Sequence, residues 1–542
     1  MLLLEAGNIK KYYADRLIVE LDALKLYSGD RIGVIGLNGS GKSTLLDILA
    51  GRLEPDEGYV RHYCGVGYIR QFSDESAEAD LKTLKEFELS QKLEREVLSG
   101  GESTRLKIAN AFSRDHLLLF ADEPTSNLDF KGIGLLRQKL ERLESFVLIS
   151  HDRSLLDELC NKILEVRDGK IRFYEGNFSD YRAQSEKEQA RAAFEYEKYV
   201  DEKAGLEAAI ADRQHRVKTM RKAPARMGNS EARLHKRSTT QRQAKVNKAV
   251  NSMTTRLEKL EVREKPRELP GIKLDFSLTD PPQNKIVLSA DLLSFSYGPV
   301  NVFNDACFKV YNGMKTALWG ENGTGKTTLL NLIYENEGGR IHMVPKARLA
   351  YFRQGFENLE QEKSILENVM RDSVQKETTA RTILARLLLQ GEAVHKKVSV
   401  LSGGERIKAA FAKMIVSGAN VLLMDEPTNY LDMQSIEALE NVLKEYEGTV
   451  LFVSHDRAFV NAVADRLLIV KDHGIEEFDG KLAEYEARRN PQRTLSPPEQ
   501  TENMNRTLLQ MRLTETVAKL SASKGDREAL EEEYRRLVEL LR

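Results

Sequence analysis

The sequence predicts an α/β fold with two similar P-loop domains, a long antiparallel α-helical hairpin between them and a short helical C-terminal extension. The two domains follow from an internal repeat, in which "RIGVIGLNGSGKSTLLDILAG" (31–51) pairs with "KTALWGENGTGKTTLLNLIYE" (315–335). In each copy an apolar strand precedes a glycine-rich loop and a helix, which is the alternation of a largely parallel sheet. The hairpin follows from apolar residues at helical spacing in two stretches between the copies.

Further motifs follow the P-loops in the same order in both copies, so each copy is one domain. "YIRQF" (68–72) pairs with "YFRQG" (351–355), and each copy continues with LSGGE, an apolar strand ending in Asp-Glu, and SHDR. The Gln of the first pair lies 27 positions before the Leu of LSGGE in the first copy and 47 in the second, so the first copy has a shortened helical insertion. The predicted segments are a first domain at 1–183, the hairpin at 184–267, a second domain at 268–490 and the extension at 491–542.

Length and composition restrict the class of protein. At 542 residues the chain is long enough for three or four domains, because single cores stop growing at roughly 250–300 residues. No stretch approaches the roughly 18 apolar residues of a membrane span, and the N-terminal residues lack the basic region of a secretory signal. We therefore expect a cytoplasmic protein. Three isolated cysteines without a CxxC pair argue against disulfides and against a zinc module.

The predicted hairpin carries a concentration of positive charge. Its first helix, at 184–222, would be about 58 Å long, and "KAPARMGNSE" would form the turn of a tip at about 221–237. Twelve Lys or Arg residues and one acidic residue lie between positions 213 and 248, although the whole chain has a net charge of −1. A solvated coiled coil is the alternative, but such a surface normally mixes both signs, so the run favours RNA as the partner. The candidate RNA-binding residues are Arg213, Arg216, Lys218, Arg221, Lys222, Arg226, Arg233, Lys236, Arg237, Arg242, Lys245 and Lys248.

The glycine-rich loops "GLNGSGKST" (36–44) and "GENGTGKTT" (320–328) are typical of phosphate binding. Backbone N–H groups of such a loop and of the following helix N-terminus surround phosphate oxygens, while the lysine reaches the β- and γ-phosphates. The hydroxyl after the lysine is a ligand for Mg²⁺. The candidate ATP-binding residues are Gly36, Asn38, Gly39, Ser40, Gly41, Lys42, Ser43 and Thr44, and Gly320, Asn322, Gly323, Thr324, Gly325, Lys326, Thr327 and Thr328.

With these motifs in this order, the chain resembles the ATP-binding cassette superfamily, and the resemblance implies roles for the other motif residues. Glu123 and Glu426, which follow the strand-ending aspartates, would be general bases for the attacking water. His151 and His455 of the SHDR motifs would contact the γ-phosphate and complete the catalytic set. The resemblance implies ATP and Mg²⁺ as cofactors, with Ser43, Gln71, Asp122, Thr327, Gln354 and Asp425 around the metal.

Two further candidate residues are tyrosines near a predicted strand start in each domain. Tyr13 and Tyr297 precede Ala14 and Gly298 and could stack on adenine. An aromatic residue at such a position can equally belong to the core, and the sequence alone leaves both readings open.

The repeated LSGGE motif explains the duplication. In the superfamily its helix N-terminus, whose dipole favours a γ-phosphate, serves the nucleotide of the opposite domain. The first site would then combine Lys42 and Glu123 with Ser402, Gly403, Gly404 and Glu405. The second would combine Lys326 and Glu426 with Ser99, Gly100, Gly101 and Glu102. The resemblance implies that ATP closes the two domains on each other and that hydrolysis opens them.

Twin cassettes joined by a basic hairpin of about 80 residues, without a membrane span, resemble the ABC-F family of ribosome-binding factors. The resemblance implies a monomeric partner of the 70S ribosome that binds near the E site, with 23S rRNA and peptidyl-tRNA as neighbours of the hairpin. The short insertion, the tip and the tail resemble the family's antibiotic-resistance members. One departure is "DEPTSNLD" (122–129), where the family commonly has "DEPTNHLD".

Three other functions remain as alternatives. A housekeeping ABC-F factor would resolve stalled ribosomes without a role in drug resistance. A transporter ATPase subunit would need a separate membrane partner and has no evident use for a long polar hairpin. A cassette protein of DNA repair would carry zinc cysteines or a far longer coil that divides one cassette, and neither is present.

Overall fold

The computed structural model of the protein describes residues 1–70, 81–87, 89, 100–113, 116–126, 128–167, 169–219, 229–260, 275–336, 340–353 and 359–489. At 216–219 and 229–243 it describes the backbone only. Gln71, Gln354, Ser99, the predicted tip and the C-terminal extension therefore lie outside the described residues or side chains. Within the described part of the chain, no helix is long and apolar enough to cross a membrane.

The first repeat alternates strands with helices, and two long helices follow it. Its elements are β1 (Leu2–Tyr13), β2 (Arg16–Tyr27), β3 (Arg31–Gly36), α1 (Lys42–Leu49), β4 (Glu57–His62), β5 (Val66–Ile69), α2 (Leu81–Glu86), α3 (Gly100–Phe112), β6 (Leu118–Asp122), α4 (Phe130–Glu141), β7 (Phe146–Ile149), α5 (Arg153–Leu159), β8 (Lys162–Arg167) and β9 (Lys170–Glu175). The long helices are α6 (Phe178–Thr219) and α7 (Asn229–Glu258).

The second repeat has the same alternation with a longer helical insertion. Its elements are β10 (Ile286–Tyr297), β11 (Val300–Tyr311), β12 (Lys315–Trp319), α8 (Lys326–Glu335), β13 (His342–Met343), β14 (Leu349–Phe352), α9 (Ile365–Arg371), α10 (Glu377–Arg386), α11 (Gly403–Val416), β15 (Val421–Asp425), α12 (Met433–Glu445), β16 (Thr449–Val453), α13 (Arg457–Val463), β17 (Arg466–Lys471), β18 (Gly474–Asp479) and α14 (Leu482–Arg489). Short 3-10 helices occupy Phe276–Thr279, Gly391–His395 and Val398–Val400.

The described chain forms two compact units. Unit 1 comprises 1–281, 348–420 and 426–447, and unit 2 comprises 282–347, 421–425 and the chain from 448 onward. Unit 1 therefore contains the first repeat, both long helices, and the helical insertion and α12 of the second repeat. The domain boundaries predicted from the sequence stay a prediction.

Unit 1 is built on a nine-stranded sheet with the order β4-β1-β2-β9-β8-β3-β7-β6-β5. The run β8-β3-β7-β6-β5 is parallel, which confirms the predicted α/β class. In β7, Val147 and Ile149 lie in one buried cluster with α1, while Phe146 and Leu148 lie in another with α3, α4 and α5. Because both faces are covered, the strand is a continuous apolar run without polar alternation.

Unit 2 repeats this topology. Five of its strands follow the order β15-β16-β12-β17-β18, which matches β6-β7-β3-β8-β9 strand for strand. The P-loop strand β12 pairs in parallel with β16 and β17, and β18 closes the edge in the antiparallel direction. The internal repeat in the sequence is therefore a repeat of structure.

The helices α6 and α7 lie side by side in opposite directions, as two contacts show. The Nη2 of Arg256 lies 2.7 Å from the Oε1 of Glu202, and the Nη1 of Arg213 donates to the Sδ of Met253 at 3.0 Å. With 42 residues, α6 is about 63 Å long at roughly 1.5 Å per residue. The connection between the two helices lies outside the described residues.

The first long helix begins at Phe178, six residues before the predicted start. Asn177 and Asp180 cap it reciprocally: the Oδ1 of Asn177 accepts from the N–H of Asp180 at 3.0 Å, and the Oδ2 of Asp180 accepts from the N–H of Asn177 at 3.1 Å. Such an exchange satisfies donors that the first helical turn leaves free. The predicted start lies later in the chain because the apolar residues from which the helix is predicted come after this cap.

A buried carboxylate fixes the start of α6 to the sheet. Glu165 on β8 is 8% exposed, and its two carboxylate oxygens accept hydrogen bonds from the hydroxyls of Tyr174 at 3.2 Å and Tyr181 at 3.3 Å. The two tyrosine rings meet edge to face, with centroids 4.9 Å apart. On α5, Asp157 accepts from the backbone N–H of Ser179 at 2.7 Å. The long helix is therefore held by both β8 and α5.

We expect Glu165→Ala to lower the free energy of unfolding by about 1–3 kcal/mol, because two tyrosine hydroxyls lose their acceptor at a buried position. Urea denaturation followed by circular dichroism measures the change. Glu186→Ala is the control, since this α6 carboxylate is 66% exposed and pairs only with Arg182 four residues away. Its effect should stay within about 0.5 kcal/mol. Equal losses in the two variants would contradict the anchoring role of Glu165.

Candidate functional site

The first P-loop connects the end of β3 to the start of α1, and its glycines are required by geometry. A Cβ on Gly36 would lie 2.4 Å from the carbonyl oxygen of Val166, so no side chain fits there. Gly41, the N-cap of α1, has a φ of 100°, a backbone conformation that favours glycine. The loop therefore turns tightly enough to direct the N-terminus of α1 into the space where a phosphate would bind.

The P-loop lysines are buried and folded onto their own loops. The Nζ of Lys42 donates to the carbonyl oxygens of Gly36 and Leu37 at 2.8 and 3.0 Å. In unit 2 the Nζ of Lys326 donates to the carbonyl oxygens of Gly320 and Glu321 at 2.9 and 2.7 Å. Burial lowers the pKa of Lys42, although the nearby carboxylates, Glu123 first, oppose this effect. Each loop thus has a cation at its centre.

A carboxylate and a hydroxyl meet beside each lysine. Asp122, at the end of β6, is hydrogen-bonded to the hydroxyl of Ser43, and burial raises the pKa of Asp122 despite this bond. Asp425, at the end of β15, is hydrogen-bonded to Thr327, and burial likewise raises its pKa. Oxygen ligands of this kind suit Mg²⁺, so the residues present fit the metal implied by the sequence.

Glu123 and His151 form a close, half-buried pair in unit 1. The Nε2 of His151 lies 3.3 Å from the Oε1 of Glu123. Burial raises the pKa of Glu123 to about 8, opposed mainly by Lys42, and burial together with Lys42 lowers the pKa of His151 to about 4. Burial therefore disfavours the charged form of both side chains.

The backbone at the two candidate bases is the same. Glu123 has a φ of 47° and Glu426 a φ of 49°, in the left-handed region that side-chain-bearing residues seldom adopt. The N–H of Glu123 donates to the carbonyl oxygen of Ile149 at 3.0 Å, which holds the turn beside β7. In unit 2 the ring of His455 packs 6.5 Å from that of Trp319. The same unfavourable φ at both glutamates is consistent with a functional position.

The LSGGE motif of the second repeat begins α11 with a capping box. The hydroxyl of Ser402 accepts from the N–H of Glu405 at 3.3 Å, and Glu405 accepts from the N–H of Ser402 at 2.9 Å. Burial raises the pKa of Glu405, but the bonds that its carboxylate accepts from the N–H and the hydroxyl of Ser402, together with Lys396, hold that pKa below its usual value. A Cβ on Gly403 would meet nothing within 4 Å, so this helix N-terminus is open to a ligand.

Within unit 1, the first P-loop meets the second repeat. The N–H of Asn38 donates to the Oδ2 of Asp432 at 2.9 Å, and its side-chain amide donates to the carbonyl oxygen of Tyr430 at 2.9 Å. A Cβ on Gly404 would lie 3.5 Å from the same Asn38 amide. The structure therefore places Asn38 of the first P-loop beside Gly404 of the second LSGGE motif, and the full crossed site stays a prediction.

Asp432 and Lys408 are two residues of this region that the sequence did not predict. Burial raises the pKa of Asp432, but hydrogen bonds from Ser435 and from Asn38 outweigh it and hold that pKa below its usual range. Burial lowers the pKa of Lys408 on α11, opposed by Asp432 and Glu405. The repeated "NLD" and "YLD" that end the motifs at 129 and 432 are the signal that could have identified the aspartate.

The structure also describes other residues that the sequence predicts for the two ATP sites or for RNA binding. Gly101 and Glu102 lie in the first turn of α3, which starts at Gly100. Tyr13 and Tyr297 are 53% and 56% exposed, so neither belongs to the core. Of the predicted RNA contacts whose side chains are described, Arg213 is half-buried beside α7, whereas Lys245 and Lys248 are exposed.

Comparison with known proteins agrees with this geometry. The family model described as ABC transporter matches twice, at residues 20–126 and 303–429. The chain is 34% identical to "Erythromycin resistance ATP-binding protein MsrA" of Staphylococcus epidermidis, covering 85% of this chain and 96% of the relative. It is 31% identical to "Ribosome protection protein VmlR" of Bacillus subtilis, covering 91% of each.

A third relative states the subfamily in its name. The chain is 28% identical to "ABC transporter F family member 5" of Arabidopsis thaliana, covering 88% of this chain and 76% of that protein. Two cassettes in one chain and relatives matched along most of their length lead to one conclusion. The chain belongs to the ABC-F family of tandem ATP-binding-cassette ATPases.

Proposed function

We propose that this ATPase binds the 70S ribosome near the E site and protects it from antibiotics that target the large subunit. Its helix pair, α6 and α7, would reach toward peptidyl-tRNA and the peptidyl-transferase centre, with 23S rRNA as the neighbouring surface. The observation that carries the proposal is the run of twelve basic residues on the helical segment between two ATPase cassettes. The names of two relatives, an erythromycin resistance protein and a ribosome protection protein, support it.

The shape and charge of the helix pair suit RNA. Lys245 and Lys248 are exposed near the middle of α7, where they can neutralise phosphates and release counterions. The helices α6, about 63 Å long, and α7, about 45 Å long, form an antiparallel pair narrow enough to enter a cleft lined by RNA. A transporter subunit would have no use for such a structure.

The ATP cycle would act through the contacts of the first site. ATP with Mg²⁺ supplies the phosphate to be cleaved and the metal charge beside it. Ser43 and Asp122 would hold the metal, and Lys42 would turn from its loop carbonyls toward the phosphates. Glu123 would take a proton from the attacking water, with His151 next to it. The contact of Asn38 with Asp432 would then be part of the closed state, which hydrolysis would open and so release the ribosome.

A housekeeping ABC-F factor is the second candidate. It would share the ATP sites and ribosome binding but would give no drug protection. The shortened insertion of the first repeat, 27 positions against 47, favours the resistance type because it leaves little room for a longer arm. Drug protection in a sensitive host separates the two candidates.

We expect Glu123→Gln with Glu426→Gln to lower ATP turnover by about 10²–10⁴-fold, because glutamine keeps the hydrogen-bonding shape but cannot accept the proton. The variant should still bind ATP and co-sediment with ribosomes more stably than the wild type. Phosphate release and sucrose-cushion sedimentation measure the two effects, and Glu186→Gln is the control. Turnover at the wild-type rate would mean that other residues act as the bases.

Deleting 223–229 should abolish drug protection and leave most ATP hydrolysis and ribosome binding, because both cassettes and the paired part of the helices remain. Inhibitory concentrations in a sensitive Gram-positive host provide the measurement, first with lincosamides, pleuromutilins and streptogramin A compounds, then with phenicols and oxazolidinones. Replacing 223–229 with a Gly-Ser segment of equal length tests whether the length of this segment, without its side chains, is enough for drug protection. Full resistance in the shortened protein would exclude the helix pair as the effector.

Lys245→Gln and Lys248→Gln should each weaken ribosome binding at low salt. The slope of log K against log salt concentration should fall by about 0.7–0.9 for each lost phosphate contact. Lys363→Gln with Lys397→Gln, on the insertion of the second repeat, is the control because these lysines already pair with Glu360 and Glu362. An unchanged slope in the α7 variants would show that these two lysines do not contact phosphate.

A further inference from the structure

A buried ion pair joins α5 of the first repeat to α12 of the second within unit 1. The Nη2 of Arg153 lies 2.9 Å from the Oε1 of Glu440, and the two side chains are only 11% and 7% exposed. Surface ion pairs contribute little to stability, but a buried charge that loses its partner is strongly unfavourable. The pair therefore favours the arrangement in which α5 and α12 are in contact.

Both partners are directly linked to the first ATP site. Arg153 is the first residue of α5 and follows His151 and Asp152 in the SHDR motif. Glu440 lies two turns into α12, which begins directly after Asp432, the residue that accepts from Asn38 of the P-loop. Met433, at the start of α12, packs in the core cluster of the first repeat. The ion pair therefore fixes one end of a docked segment whose other end contacts the P-loop.

The internal repeat does not reproduce this pair. Arg457 in the second SHDR motif corresponds to Arg153, and position 137, eight residues after Asp129, corresponds to position 440, eight residues after Asp432. Position 137 is an arginine, so the counterparts are two cations. Arg457 pairs instead with Glu486. Arg137 lies 2.8 Å from Glu158 and 3.7 Å from Glu141.

We propose that Arg153 and Glu440 are positioning residues, a clasp that holds α12 against the first ATP site and makes closure of that site more favourable than closure of the second. The clasp rests on the proposed crossed assignment of the first site, but it does not require the ribosome. A contact present only in the closed state raises the affinity of any ligand that selects that state. ATP should therefore bind the first P-loop more tightly than it would without the clasp.

Nucleotide binding at each P-loop tests the clasp. In the Glu123→Gln, Glu426→Gln background, a photoreactive ATP analogue is crosslinked over a range of concentrations, and peptides from the two P-loops are quantified separately by mass spectrometry. Arg153→Glu places two carboxylates together, and we expect it to raise the half-saturating concentration at the first P-loop by about tenfold or more. The second P-loop should change by less than about twofold. Combining Arg153→Glu with Glu440→Arg restores opposite charges and should bring the first P-loop back to within about threefold.

Arg457→Glu is the matched control, because it reverses the equivalent arginine where no clasp exists. It should leave the first P-loop unchanged. If Arg153→Glu does not fold, Glu440→Gln removes the charge at nearly constant shape and should weaken the first P-loop alone. Equal weakening of both P-loops, or no recovery in the exchanged pair, would reduce Arg153 and Glu440 to a plain stabilising contact. Absence of labelling at the first P-loop before any of these changes would instead refute the proposed site.

Discussion

The parallel arrangement of the central strands is the constraint on which the site depends. In a parallel sheet the carboxyl ends of neighbouring strands lie at one edge, about 4.8 Å apart. Here β3 ends in the P-loop, β7 runs into the segment of His151, and β6 ends at Asp122 and Glu123, and these strands are adjacent in the order β3-β7-β6. The order of the strands by itself brings these groups close together, so no long loop is needed for this. The same order in unit 2 explains why a second set of motifs forms there.

The close approach of these polar groups has an electrostatic consequence. Lys42, Asp122, Glu123 and His151 share a space from which most water is excluded, and burial disfavours charge on each of them. Burial raises the pKa of Glu123, whereas the neighbouring Lys42 opposes this effect. A metal ion or a phosphate would be the largest local charge and would change this balance. Because the site is buried, a charged ligand would change the pKa of Glu123.

The fold class and the motifs could be predicted from the sequence, but the contacts between distant elements could not. Repeated P-loops and apolar strands predicted two parallel sheets, because each local pattern has one common structural solution. The pairing of Arg153 with Glu440 could not be predicted, since 287 positions separate the partners and both residue types occur throughout the surface helices. The contacts of Glu165 with Tyr174 and Tyr181 span only 9 and 16 positions, but the local pattern does not distinguish a buried carboxylate on a strand from an exposed one. The start of α6 was placed late because its cap at Asn177 and Asp180 precedes the seam from which the helix was predicted.

The two repeats share a topology but differ where the long helices depart. In the first repeat Glu165, Tyr174 and Tyr181 hold the start of α6, whereas the aligned positions of the second repeat are Ile469, Phe478 and Tyr485, and the last two pack edge to face at 5.3 Å. A polar network fixes direction as well as position, because its hydrogen bonds require one geometry. The short helix α5 combines this anchor with the ATP site: its first residue contacts Glu440, and Asp157, one turn later, bonds the backbone of α6 at Ser179. The seven residues of α5 therefore link α12 of the second repeat to the start of α6 through one ion pair and one hydrogen bond.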